Sequence, residues 1–156
     1  MRGEKKMIDI TILGKPVPNN TKQRICIGAV RPYAINYKPA VVKEYREHIE
    51  AEVDKYCIKH NLKPLDAAVR LTIYFFWAPP KSFSKKRRHE LLGKPIPVKF
   101  DLDNLEKVCI DAISKDTHSS GRYHFLENDS RVAEKHTYKI YDENERVRII
   151  IEEMKK

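Results

Sequence analysis

Between residues 67 and 77 the chain reads AAVRLTIYFFW, the segment that most narrows the folds open to it. Val69, Leu71, Ile73, Phe75 and Trp77 fall on one side of an extended backbone, and Arg70, Thr72, Tyr74 and Phe76 on the other. Period-two alternation rich in β-branched and aromatic residues specifies a strand with one face in a core. Pro79 and Pro80 end it, because proline offers no N–H to a ladder. A strand of this kind needs paired neighbours and a second layer over its apolar face.

The flanking segments supply both. Ile8–Leu13 alternates and reads as a first strand; GKPVPNNTKQR then opens a basic segment that reads as irregular as far as Lys38. Pro39 suits a helix start, and Val42, Tyr45, Ile49, Val53, Tyr56 and Cys57 mark the apolar stripe of a helix ending near His60. KSFSKKRRHELLG holds a short helix, and KPIPVKF runs extended into a second amphipathic helix. That helix spans Leu102 to about Lys115, with Leu102, Leu105, Cys109, Ala112 and Ile113 inward. SKDTHSSGRYH is a polar loop whose histidines, His118 and His124, read as solvated. Val132–Tyr141 and Arg146–Glu152 close the chain as a hairpin turned by DENE. The order β-α-β-α-β-β predicts an α+β fold: a two-layer sandwich, with helices packed on one face of a mixed β-sheet. The 156 residues suit one domain over 1–156, with residues 1–6 as a disordered tail.

Charge is unevenly spread. Lys plus Arg number 31 against 22 Asp plus Glu, for a net charge of +9. From Ile10 to Lys43 there are six bases and no acid; from Lys81 to Lys99 there are seven bases and one acid, Glu90. Basic charge gathered into two segments suits a polyphosphate partner, although a solvated surface explains a basic run equally well. No apolar run is long enough to span a membrane, and MRGEKKMIDI has no secretory h-region. A cytoplasmic protein is expected. Three scattered cysteines without C-x-x-C exclude a disulfide framework or a cysteine-rich zinc site. Neither nucleotide-binding glycine motif is present, nor G-x-S-x-G or H-E-x-x-H, so no nucleotide cofactor is expected.

FDLDNLEK is where chemistry concentrates. Asp101 stands where the second helix begins, and Asp103 lies in its first turn. Helix capping explains both, because Asp is a preferred N-cap and acids favour the positive helix end. Three features favour a site instead. Lys107 follows Asp103 by one helical turn. Asp129, in LENDSRV, precedes a strand whose odd positions include Lys135 and Lys139. The two basic segments would flank such a site. Three carboxylates would suit Mg²⁺ completed by substrate phosphate, with Mn²⁺ as a substitute. Asp111 extends the Asp103–Lys107 stripe and reads as a surface or hydrogen-bonding acid.

These residues carry a resemblance. DLDNLEKVCIDAI, LENDSRV and a later lysine resemble the RusA-type Holliday-junction resolvases, whose pattern is D-x-D-N-x-x-K-x-x-x-D-x-L, then D-D-x-x-V, then a lysine in the next strand. Asp101, Asp103, Asn104, Lys107 and Asp111 match the first block, Asp129 and Val132 the second, and Lys139 the lysine; ILGKPVPNNTKQR resembles the family's front end. The resemblance implies a homodimer that binds four-way DNA junctions and makes paired nicks with Mg²⁺. It places metal ligands at Asp101, Asp103 and Asp129 and a catalytic lysine at Lys107. Asn104, Asn128 and Asp111 stand as possible supporting residues. Lys22, Arg24, Lys85, Lys86, Arg87, Arg88, Lys99 and Lys139 are the candidate DNA contacts. The chain departs from the pattern at Asn128, where the family has Asp, and in a longer loop from Ser114 to His124. Two other readings stand beside this one: a non-catalytic basic DNA- or RNA-binding module whose aspartates cap a helix, and a less selective nuclease cutting flaps or duplex.

Overall fold

The computed structural model describes residues 5–19, 22–28, 30–37, 39–115 and 123–154. Its elements are β1 (Met7–Leu13), β2 (Lys22–Ile27), β3 (Pro32–Tyr37), α1 (Ala40–His60), β4 (Val69–Trp77), α2 (Lys85–Leu91), α3 (Leu102–Ile113), a 3₁₀ turn (Asp129–Arg131), β5 (Val132–Tyr141) and β6 (Arg146–Glu153). The fold is α+β. Four strands form a mixed sheet in the order β1-β6-β4-β5, in which β5 runs parallel to β4 and the other neighbours are antiparallel.

The alternating strand, β4, lies between β6 and β5. Val69, Leu71, Ile73, Phe75 and Trp77 are buried and the intervening residues are half-buried, so one face meets the helices and the other does not. Ile8, Ile10 and Ile12 of β1 and Val147, Ile149 and Ile151 of β6 continue the same apolar face. Val42, Tyr45, Ile49, Val53 and Cys57 of α1 cover it together with Leu105, Val108, Cys109, Ala112 and Ile113 of α3. Asn61, left-handed at φ 49°, ends α1, and the Leu62 N–H returns to the Cys57 carbonyl at 2.9 Å.

Three expectations change. The basic segment is not irregular throughout, because β2 and β3 pair as a separate antiparallel hairpin. β5 and β6 do not form a hairpin. β4 lies between them, and residues 142–145 step across its end. The prolines that stop β4 make this possible: the Asp142 N–H bonds the Trp77 carbonyl at 2.9 Å, beyond which the ladder has nothing to continue. His124 is buried rather than solvated, and its carbonyl accepts from the Cys57 thiol at 3.9 Å. His118 lies outside the described residues. So do residues 1–4 of the expected tail, whereas the Lys6 carbonyl accepts from the Glu153 N–H at 2.9 Å.

Candidate active site

The long gap in sequence between the two acidic blocks is closed by main-chain hydrogen bonds. Phe125 and Leu126 donate to the Ile113 carbonyl at 2.9 and 3.1 Å, and Lys115 donates to Leu126 at 3.0 Å. On the other side Leu65 donates to Phe125 at 2.8 Å, and Glu127 donates back to Leu65 at 3.0 Å. Residues 125–127 thus run between the end of α3 and the approach to β4, which returns the chain to α3 just before Asp129.

Asp103, Glu106, Lys107, Ile110 and Asp111 of α3, with Asp129 and Lys135, line an open cleft of about 300 Å³. One helical turn separates Asp103 from Lys107 and Lys107 from Asp111, which places the three on one face. An adjoining recess is lined by Asp111, Ser114, Lys115, Asn128 and Asp129, so Asp111 and Asp129 border both spaces. Lys135 Nζ donates to Glu106 Oε2 at 2.7 Å and ties β5 to α3. That hydrogen bond holds the Lys135 ammonium above the ordinary lysine range, and the charge of Asp103 adds to the effect.

Asp101 sits apart from this lining. It occupies the N-cap of α3 at φ −66° and ψ 128°, but its side chain accepts no capping hydrogen bond. Ser84 at the head of α2, by contrast, accepts from the Arg87 N–H at 3.2 Å. The cap explanation of Asp101 therefore lacks the bond it requires. No side-chain hydrogen bond or ion pair engages Asp101, Lys107, Asp111 or Asp129 among the described residues. Nor does any group of three or more His, Cys, Asp or Glu there stand close enough to hold a metal. In donor chemistry the cleft suits Mg²⁺: it offers hard carboxylate oxygens without competing partners and stays open to water and phosphate.

The remaining expected residues scatter. Asn128 lines the recess, but its Oδ1 accepts from the Ser130 N–H at 2.8 Å and caps the 3₁₀ turn. Asn104 offers its carbonyl to the Asn19 N–H at 2.9 Å, which docks the Pro- and Asn-rich front segment beside Asp103. Arg24 on β2 and Lys85, Lys86 and Arg87 on α2 are exposed, and Arg88 is half-buried. The Arg87 guanidinium lies 3.6 Å over the Phe83 ring. The Lys22 side chain lies outside the described residues. Lys99 is exposed. Lys139 is half-buried, and its Nζ donates to the carbonyls of Lys99 and Phe100 at 2.9 and 3.0 Å.

Glu106 and Lys135 were not among the expected site residues. Their signal was an acid at the buried phase of α3, a position that demands a charged partner. The two buried cysteines offer no alternative nucleophile. Burial pushes the Cys57 thiol up to about 11 and raises Cys109 further, and such thiols are inert.

Among the described residues no helix is long and apolar enough to cross a membrane. A comparison with curated proteins finds no match. The family model described as endodeoxyribonuclease RusA matches residues 14–152, which takes in every element from the Pro- and Asn-rich segment to β6. The chain therefore belongs to the RusA family of endodeoxyribonucleases, hydrolases that resolve Holliday junctions and so act on branched DNA.

Proposed function

We propose that this chain is a Mg²⁺-dependent resolvase whose cutting centre is the cleft between α3 and the 3₁₀ turn. One observation carries the reading: Asp103, Lys107, Asp111 and Asp129 share that cleft, although the last is remote in sequence from the others. Asp103 and Asp129, with Asp101 at the head of α3, are the residues that would hold the metal. Bound there, a divalent ion would supply Lewis-acid chemistry: an activated water and a stabilised leaving oxygen for in-line displacement at phosphorus.

The side chains supply the rest. The Lys107 ammonium, on the cleft lining, is the cation that offsets charge developing on the phosphoryl oxygens, and a preorganised cation lowers that barrier. Asp111, half-buried and bordering both spaces, orients water between them. The Glu106–Lys135 pair fixes the width of the cleft. Arg24, Lys85, Lys86, Arg87 and Lys99 hold the DNA backbone through phosphate contacts, which position a duplex without reading its sequence. Two copies related by a two-fold axis present equivalent clefts to opposing strands of a junction that is itself nearly two-fold symmetric. The protein works in the cytoplasm, and Mn²⁺ substitutes for Mg²⁺.

Incubation of a labelled synthetic four-way junction with Mg²⁺ tests this. The wild type nicks opposing strands, spares flaps and plain duplex, and stops in EDTA. Asp103→Asn loses more than the roughly 10–100-fold that removal of a mere ligand-supporting partner costs. Undiminished cutting by that variant, or cutting in EDTA, rejects the assignment. Asp101→Asn separates it from a binding module, because Asn caps a helix about as well as Asp. A capping role predicts no change, and a ligand role predicts lost turnover with junction affinity kept.

A further inference from the structure

The backbone leading into α3 adopts a conformation that side chains disfavour. Lys99 at φ 50° and Phe100 at φ 62° are consecutive non-glycine residues in the left-handed region. Such residues persist only where the surroundings over-determine them, and they gather at functional sites. Here the surroundings are specific. Lys139 Nζ donates to the carbonyls of both residues, at 2.9 and 3.0 Å. The Phe100 ring stacks on Trp77 with centroids 4.6 Å apart and planes 5° from parallel. The preceding residues are laced to β5: Ile96 donates to the Lys139 carbonyl and Tyr141 to the Lys94 carbonyl, each at 3.0 Å. Asp101 follows at once, and its carbonyl accepts the first helical hydrogen bond from the Leu105 N–H at 3.2 Å.

We infer that Lys139 is a positioning residue for the cutting centre: its ammonium clamps the left-handed Lys99–Phe100 turn and so fixes where α3 starts and where Asp101 and Asp103 are held. The alternative use of Lys139, a phosphate contact, would require its ammonium to leave two carbonyls that nothing else among the described residues bonds through a side chain. An ammonium suits the task because it can donate to two convergent carbonyls at once, and both belong to a turn that otherwise springs toward extended backbone. The same strand that carries the clamp begins beside Asp129, so β5 sets both sides of the cleft. This inference rests on reading Asp101 and Asp103 as metal ligands.

The test uses the full chain with Lys139→Met, which removes the ammonium and keeps the stem, and Lys139→Arg, which restores donors. Calorimetric titration with Mn²⁺ shows the affinity of Lys139→Met reduced about 10–100-fold, as for loss of other groups that orient metal ligands. Single-turnover cleavage of the junction in Mg²⁺ falls by a similar factor and recovers in part at higher Mg²⁺. Junction affinity in EDTA stays within about twofold, and its salt slope does not change, because no phosphate contact is lost. Amide exchange at residues 99–103 quickens, and Lys139→Arg recovers most of each loss. Unchanged Mn²⁺ affinity and cleavage in Lys139→Met overturn the inference. So does weaker junction binding with a salt slope lower by about one, the mark of a lost phosphate contact. If Lys139→Met does not fold, Lys139→Leu, which also lacks donors, takes its place with the same outcomes. If the wild type cuts no junction, the resolvase reading fails, while Mn²⁺ titration and amide exchange still decide whether Lys139 holds the turn.

Discussion

The two walls of the cleft differ in what holds the residues next to each aspartate. The segment before Asp129 is anchored by main-chain hydrogen bonds to Leu65, Ile113 and Lys115 and finished by a cap, Asn128 Oδ1 on the Ser130 N–H at 2.8 Å. The segment before Asp101 has main-chain bonds to β5 only as far as Ile96, and the two residues next to Asp101 are anchored by side chains: the Lys139 ammonium, and the Phe100 ring on Trp77. Main-chain bonds survive most substitutions, and a cap accepts any of several short polar residues. Side-chain anchors tolerate few. At 128, where the resembling pattern has Asp, the Asn oxygen serves as a cap, a role that Asn and Asp fill about equally well.

The largest effect should come from Trp77, which is 3% exposed and stacks on Phe100 at the Asp101 wall. Trp77→Ala is expected to lower stability by about 3 kcal/mol or more, in line with other large-to-small changes in cores, as measured by urea unfolding. It also frees Phe100, so amide exchange at residues 98–103 should rise more than at 127–132. Trp77→Phe should cost much less, because the buried indole N–H has no hydrogen-bond partner to lose. Equal loosening of both walls in Trp77→Ala would erase the distinction between them.

Asn128 probes the other wall with a smaller effect. Asn128→Ala removes the cap and should cost about 1 kcal/mol, with faster exchange confined to residues 127–132. Asn128→Asp keeps the cap and should leave stability within about 0.5 kcal/mol and junction cleavage in place. Loss of cleavage in Asn128→Asp would mean that the amide, not the oxygen, is what the site needs.

What could be read from the sequence follows the same division. Period-two and helical patterns located β4, α1 and α3 almost to the residue, because each buries a stripe that only one geometry can bury. The Asp103–Lys107–Asp111 face followed from helical spacing alone. Pairing partners did not follow: β5 and β6 are adjacent in sequence, yet each lies beside β4, and short connections ordinarily imply a hairpin. The β2–β3 hairpin was hidden by its own exposure. Ile25 and Ile27 are 75% and 90% exposed, so no buried face imposes a readable alternation. The left-handed turn at Lys99–Phe100 was unreadable because neither residue favours that conformation; a lysine forty residues later holds it.

The seam between the two walls gives the smallest effect and the clearest sign. Glu106 is 7% exposed, whereas the Lys135 side chain is 50% exposed, so the pair is deeply asymmetric. The hydrogen bond that Lys135 donates to Glu106 raises the Lys135 pKa above its ordinary 10.5. A group whose pKa rises on folding stabilises the fold fully below its unfolded value, and this contribution disappears as pH climbs through the raised value. Because Lys135 is half in water, screening limits the pair to about 0.2–1 kcal/mol. Thermal midpoints of wild type and Glu106→Gln should therefore differ slightly near neutral pH and converge as pH climbs beyond the ordinary lysine value of 10.5. Lys135→Met should cost more than Glu106→Gln at neutral pH, since it strands a buried carboxylate without its partner, while Glu106→Gln leaves an ammonium that water can solvate. If the two variants cost the same, the seam is a surface contact, and the walls are joined by backbone alone.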